Sequence, residues 1–222
     1  MNRLTQLLFK AVRGGPELPE TLRARLAAWR AQPEDDLQLP HYRTRYVVID
    51  VATSGLHVGS DELRGIAAVA VVNGAICPAE AMVLDLSELS DQAAFPTENQ
   101  LVALLEFIGK SPLVAYQAEF VQAFLKHFFQ QKLGLDFDTE CMDLAWILPD
   151  LFSEREEGIV ALDVWLDSFG IEAIGRYDAL VDALATAKLL QIALPQASSR
   201  TIETPRRLAE IEKARRWLRR SG

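Results

Sequence analysis

The stretch Val47-Val48-Ile49-Asp50-Val51-Ala52-Thr53-Ser54-Gly55-Leu56 sets the frame for everything around it. An unbroken apolar, β-branched run reads as a strand buried on both faces, and such strands belong to sheets covered by helices on each side. The run ends on an acid, Asp50, followed by a Thr-Ser-Gly turn. A buried strand therefore delivers a carboxylate to the rim of a sheet.

The pattern on either side of this strand extends the sheet. Residues 66–72 predict a second strand, Asn73-Gly74 a two-residue hairpin, and 75–84 the returning strand. Thr97 and Gln100 stand in capping-box positions for a helix that runs to Ile108. A short strand is expected at 112–116, a Phe-rich helix at 119–132 ended by Gly134, and a fifth strand at 137–141. Helices are expected at 142–148, 160–169 and 178–194, the last stopped by Pro195. The order βββαβαβα, hairpin first, predicts an α/β fold with a mixed five-stranded sheet flanked by helices.

Both ends add helices. Residues 4–11 have helical spacing, and 19–30 place Leu22, Leu26 and Ala27 on one face. Thr204-Pro205 opens a last helix with an apolar stripe of Leu208, Ile211, Ala214 and Leu218 among arginines. The expected division is an N-terminal helical extension at 1–44, a main domain at 45–196 and a basic C-terminal helix at 197–222.

Charge is uneven along the chain. Residues 1–46 carry +3, residues 47–199 carry −16 and residues 200–222 carry +5, for a net charge of −8. An acidic core repels a phosphate backbone, whose binding is driven by Lys and Arg. No apolar run approaches the roughly 20 residues of a membrane span. The two cysteines, Cys77 and Cys141, have no metal-ligand spacing and read as reduced thiols of a cytoplasmic protein.

Three segments now line up. The first is Ile49 to Leu56. The second is Leu113-Val114-Ala115-Tyr116-Gln117-Ala118-Glu119-Phe120-Val121. The third is Tyr177-Asp178-Ala179-Leu180-Val181-Asp182 with the Ala-rich run after it. Together they resemble the three motifs of the DEDD-type 3′–5′ exonucleases, in the DnaQ-like branch. The resemblance covers roughly residues 45–194 and implies a ribonuclease-H-like sheet. It further implies four carboxylates holding two divalent ions, Mg²⁺ or Mn²⁺, which activate water against a phosphodiester.

Carried over by position, the resemblance is incomplete. Asp50 matches the first acid and Asp182 the last, and these two would be the metal ligands. Ala52 stands where the family has Glu, and Val121 where it has Asp. Tyr177 replaces the general-base His and is at most a vestigial catalytic residue. Thr53, Gly55, Leu56 and Phe120 match the family's contacts to the terminal nucleotide. Two other acids lie close in sequence: Asp178, which could swing in, and Glu119, which the helical pitch points elsewhere.

Two functions compete on these residues. One is a homologue that has lost two-metal hydrolysis, with Mg or Mn weakly held or not held. It would act by binding a nucleic-acid end or nucleotide, or a protein partner through the terminal helices. The other is an atypical metal-dependent 3′–5′ exonuclease on single-stranded ends, with one ion on Asp50 and Asp182. Neither involves a membrane.

Overall fold

The computed structural model describes residues 16–86, 96–156, 158–172 and 178–221. The helix expected at 4–11 lies outside them. The central sheet has five strands in the order β3-β2-β1-β4-β5. These are β1 (Arg45–Thr53), β2 (Leu63–Val72), β3 (Ala75–Asp85), β4 (Leu113–Ala115) and β5 (Cys141–Asp143). β1, β2 and β3 run antiparallel, while β4 and β5 run parallel to β1. The mixed sheet is as the sequence predicts.

The hairpin at Asn73-Gly74 forms because both residues reach positive φ, 54° and 75°. That geometry matches the twist of the flanking strands and pairs Val72 with Ala75. Seven helices are described: α1 (Glu20–Arg30), α2 (Pro96–Ile108), α3 (Ala118–Leu133), α4 (Leu144–Leu151), α5 (Leu162–Ser168), α6 (Ala179–Ser199) and α7 (Pro205–Ser221).

Strand periodicity splits the core into two layers. Tyr46 and Val48 of β1 pack with α4, α5 and α6, through Leu148, Trp165, Ala183 and Leu190. Val47, Ile49 and Val51 pack on the other face with α1, α2 and α3, through Leu22, Leu105 and Phe129. The period of two therefore turns Asp50 and Ala52 towards α6. The small residues Ala183, Ala187 and Ala193 of α6 are fully buried and let that helix lie close on β1 and β2.

Three boundary readings need correction. α6 does not stop at Pro195 but continues to Ser199. A proline inside a helix costs about 3 kcal/mol, yet the carbonyl it leaves unpaired belongs to the exposed Gln191, and Leu194 and Ala197 on either side of the proline are buried. The fifth strand is at Cys141–Asp143, not 137–141. Leu135 and Phe137 do alternate with exposed acids, but they fill the core as extended loop, with Phe137 packed 4.7 Å from Phe129. α2 begins at Pro96, so Thr97 lies in the first turn rather than at the cap.

The last helix starts as its sequence predicts, with the Arg207 N–H donating to Thr204 Oγ1 at 3.3 Å. Most of its cations are engaged with the chain itself. Lys213 pairs with Glu140, Arg215 with Asp150, and Arg216 with Glu119, Asp143 and Glu212. Arg216 and Arg219 also lie over the Trp146 ring. Among the described residues no helix is long and apolar enough to cross a membrane.

Candidate functional site

A cleft of about 310 Å³ opens where the end of β1 meets α3, α5 and α6. Asp50, Ala52 and Thr53 line it from β1, and Leu56 from the following loop. Tyr116, Gln117 and Phe120 line it from the start of α3, Asp182 from the first turn of α6, and Leu162 and Asp163 from α5. Asp50, Asp182, Thr53, Leu56 and Phe120, all named from the sequence, are therefore together. Tyr177 lies outside the described residues.

Gly55 does not line the cleft. Its role is in the turn: a Cβ there would sit 2.5 Å from the Asp61 carboxylate. That carboxylate accepts the His57 N–H at 2.7 Å and closes the loop. Thr53 Oγ1 donates to the Gly55 carbonyl at 2.7 Å, pinning the same turn. Leu56 is left at the mouth, 76% exposed. The His57 side chain is largely exposed beside Asp61, away from the cleft lining.

Val121 is 1% exposed and does not line the cleft, although Val51 of the same core layer does. An apolar side chain on this helix gains by turning inward. Asp178 is occupied as the N-cap of α6, accepting from the Leu180 and Val181 N–H groups at 2.8 and 3.2 Å. Glu119 is held by Arg216. Neither nearby acid stands in for a missing one.

Burial, together with the Asp182 charge, pushes the Asp50 carboxyl up to about 8. Four carboxylate positions with oxygen donors would suit Mg²⁺ or Mn²⁺. Here two are Ala52 and Val121, and among the described residues no three His, Cys, Asp or Glu are placed to hold one ion. The donor set does not fit a two-ion centre.

Asp163 and Asp143 are not marked out by the sequence, and Tyr116 and Gln117 enter it only as the opening of the second motif. Asp163 carries a third acid into the cleft, and an acid in a first helical turn ordinarily reads as a dipole partner, so nothing marked it out. Tyr116 donates its hydroxyl to the Val160 carbonyl, which ties the cleft wall to the segment before α5. Gln117 is left-handed, with φ 56°, and its N–H donates to Asp143 Oδ1 at 2.9 Å. Asp143, 2% exposed, also accepts from the Ala145 N–H and from Arg216 at 3.0 Å. The αL turn that shapes the cleft floor is thus fastened to α7.

No protein-family profile matches the chain. Among curated proteins it is similar to the PolC-type DNA polymerase III of Halalkalibacterium halodurans, 29% identical across 76% of this chain. The chain spans only 13% of that polymerase. Among solved structures it is similar to E. coli exonuclease I in complex with a dT13 oligonucleotide, with a TM-score of 0.53 and 16% identity. That likeness covers 71% of this chain and 42% of the exonuclease. It is also similar to the cell-death related nuclease CRN-4, with a TM-score of 0.52, 13% identity, and coverage of 67% of this chain and 62% of that one.

Proposed function

We propose that the chain, a DnaQ-like exonuclease-fold protein with a ribonuclease-H-like sheet and degenerate motifs, binds a single-stranded nucleic-acid end rather than cleaving it. The observation that carries this reading is the fate of two ligand positions. Ala52 offers no donor, and Val121 is buried in the core and does not line the cleft. Phosphodiester hydrolysis through paired ions needs donors on both. The parts that would grip a terminal nucleotide, Thr53, Leu56 and Phe120, still line the cleft. The main unit, expected at 45–196 and extended by α6 to Ser199, carries this function in the cytoplasm, with the segments before and after it as additions. A protein partner could share the outer face of α7, where Trp217 and Leu218 are 66% and 63% exposed.

One observation favours a second reading. Asp163 brings a third carboxylate to the cavity of Asp50 and Asp182. A single Mg²⁺ or Mn²⁺ ion in this cleft would make the protein an atypical 3′–5′ exonuclease. Hydrolysis of end-labelled single-stranded DNA and RNA in Mn²⁺ separates the two. The binding reading expects turnover at least about 10³-fold below an intact relative, on the order of 4 kcal/mol in barrier. Turnover comparable to the relative, abolished by Asp182→Ala, would favour the enzyme.

A further inference from the structure

A second cavity, of about 690 Å³, lies between the β1–β2 loop and the outer half of α3. We propose that it seats the body of the single strand whose end occupies the cleft. The inference rests on the reading of the cleft as a nucleic-acid end site.

The two cavities lie along the same helix and the same stretch of chain after β1. Phe120 lines the cleft and Phe124, one helical turn on, lines the second cavity, their ring centroids 4.9 Å apart. The loop that supplies Leu56 to the first supplies Gly59 to Glu62 to the second, and Leu63 and Arg64 follow from the start of β2. Gly59, with φ 92°, carries that loop up to His127 on α3. From Phe120 to Lys132 the helix rises about 18 Å, so a strand running along α3 from the cleft to the second cavity would span several nucleotides.

Its lining differs in kind from the cleft's. Arg64, His127 and Lys132 bring cations or a titratable base to it, along with Phe128 and Gln131. Arg64 and Lys132 have no carboxylate partner among the described residues. Two acids also line the cavity, but the Asp61 carboxylate is turned into the loop, where it accepts the His57 N–H. Glu62 stays exposed. Lys132 Nζ stands 6.0 Å from the Phe128 ring, which puts a charge for a phosphate beside a face on which a base can stack. Basic groups interleaved with aromatic rings are how single strands are held without regard to sequence. In a stretch of net charge −16 this wall is where a phosphate backbone finds unspent cations.

Fluorescence anisotropy with labelled oligothymidylates of three and twelve nucleotides, in EDTA and at roughly 50 mM salt, tests the proposal. The longer probe should bind at least tenfold tighter. Arg64→Glu with Lys132→Glu should cancel that gain and leave the three-nucleotide probe unchanged, while Phe120→Ala should weaken both. The salt slope of the longer probe should drop by about 1.4 for two lost phosphate contacts. Arg64→Ala with Lys132→Ala should move affinity in the same direction, which guards against an effect of charge reversal on folding. If the three-nucleotide probe binds through Phe120 but length and charge reversal make no difference, the second cavity is not the strand seat and the end-site reading stands. If neither probe binds, with or without Mn²⁺, both fall.

Discussion

Asp143 Oδ1 accepts the backbone N–H of Gln117 at 2.9 Å, across 26 residues of sequence, and so holds a left-handed turn at the floor of the cleft. The other oxygen of the same carboxylate accepts from Arg216 on α7. Burial raises the Asp143 carboxyl, and hydrogen bonds from Ala145, Arg216 and Gln117 oppose that rise. One buried acid thus joins the cleft to the last helix.

Removing the cation from this junction should be expensive. Arg216→Ala leaves Asp143 and Glu212 buried and facing one another without compensation. A loss of about 3–5 kcal/mol is expected by the rule for one partner of a buried pair. Urea unfolding measures it, and a loss under about 1 kcal/mol would show that α7 is not fastened here. Arg206→Ala, at an exposed pair with Glu210, should cost well under 1 kcal/mol.

Asp50 should make the protein less stable as pH rises. Its folded-state pKa, about 8, lies above the ordinary 3.8. Between those values the folded protein keeps a proton that the unfolded chain has released, so stability falls from pH 4 up to pH 8 and is level above it. Asp50→Asn removes the charge without changing shape. The variant should gain on the order of several kcal/mol over the parent at pH 8, with the gain gone near pH 4. Equal unfolding curves at pH 8 would contradict the assigned burial.

His41 should act in the opposite sense. Its Nδ1 meets the Tyr46 hydroxyl at 2.6 Å and its Nε2 the Ile202 carbonyl at 2.9 Å. Nε2–H therefore donates to the carbonyl and Nδ1 accepts from Tyr46, a neutral ring. Burial lowers its pKa. The unfolded chain then takes up the proton first, so this contribution is whole above pH 6.5 and is lost as pH falls below it. His41→Gln should flatten the acid limb of a melting-temperature profile between pH 5 and 7.

Metal should do little to the natural chain. With donors missing at Ala52 and Val121, millimolar Mn²⁺ is expected to shift stability by less than roughly 0.5 kcal/mol, because the ratio of free ion to Kd is about one or lower. Ala52→Glu adds a donor two residues from Asp50 on the same face and should introduce a metal-dependent rise. Val121→Asp should not help, because it puts a charge into a core position that is 1% exposed and costs several kcal/mol. Melts in EDTA and in Mn²⁺ check all three.

The parts of this molecule that were legible in sequence are those fixed by neighbours in the chain. Asn73-Gly74 needs only its own φ angles, Thr204-Pro205 only the first turn it opens, and the alternation through β1 only the two faces of a strand. Asp50 and Asp182 could be paired because motif order carries them to one edge. The errors arose where distant packing overrode local chemistry. Pro195 stays helical because Leu194 and Ala197 are buried against other elements. Phe137 alternates like a strand residue but finds an aromatic ring instead of a strand partner. Asp163, Gln117 and Asp143 owe their places to contacts that no spacing encodes.

The junction at Asp143 also sets an order on folding. Arg216 lies 73 residues beyond Asp143, so the counter-ion reaches the acid only through a long-range contact. Closing so long a loop is slow compared with forming the hairpin of β2 and β3. If the sheet assembles first, it does so with Asp143 either protonated or still wet, and the docking of α7 becomes the step that seals it. A chain cut after residue 204 should refold to a core that opens at Gln117 first, visible as early hydrogen exchange at that amide.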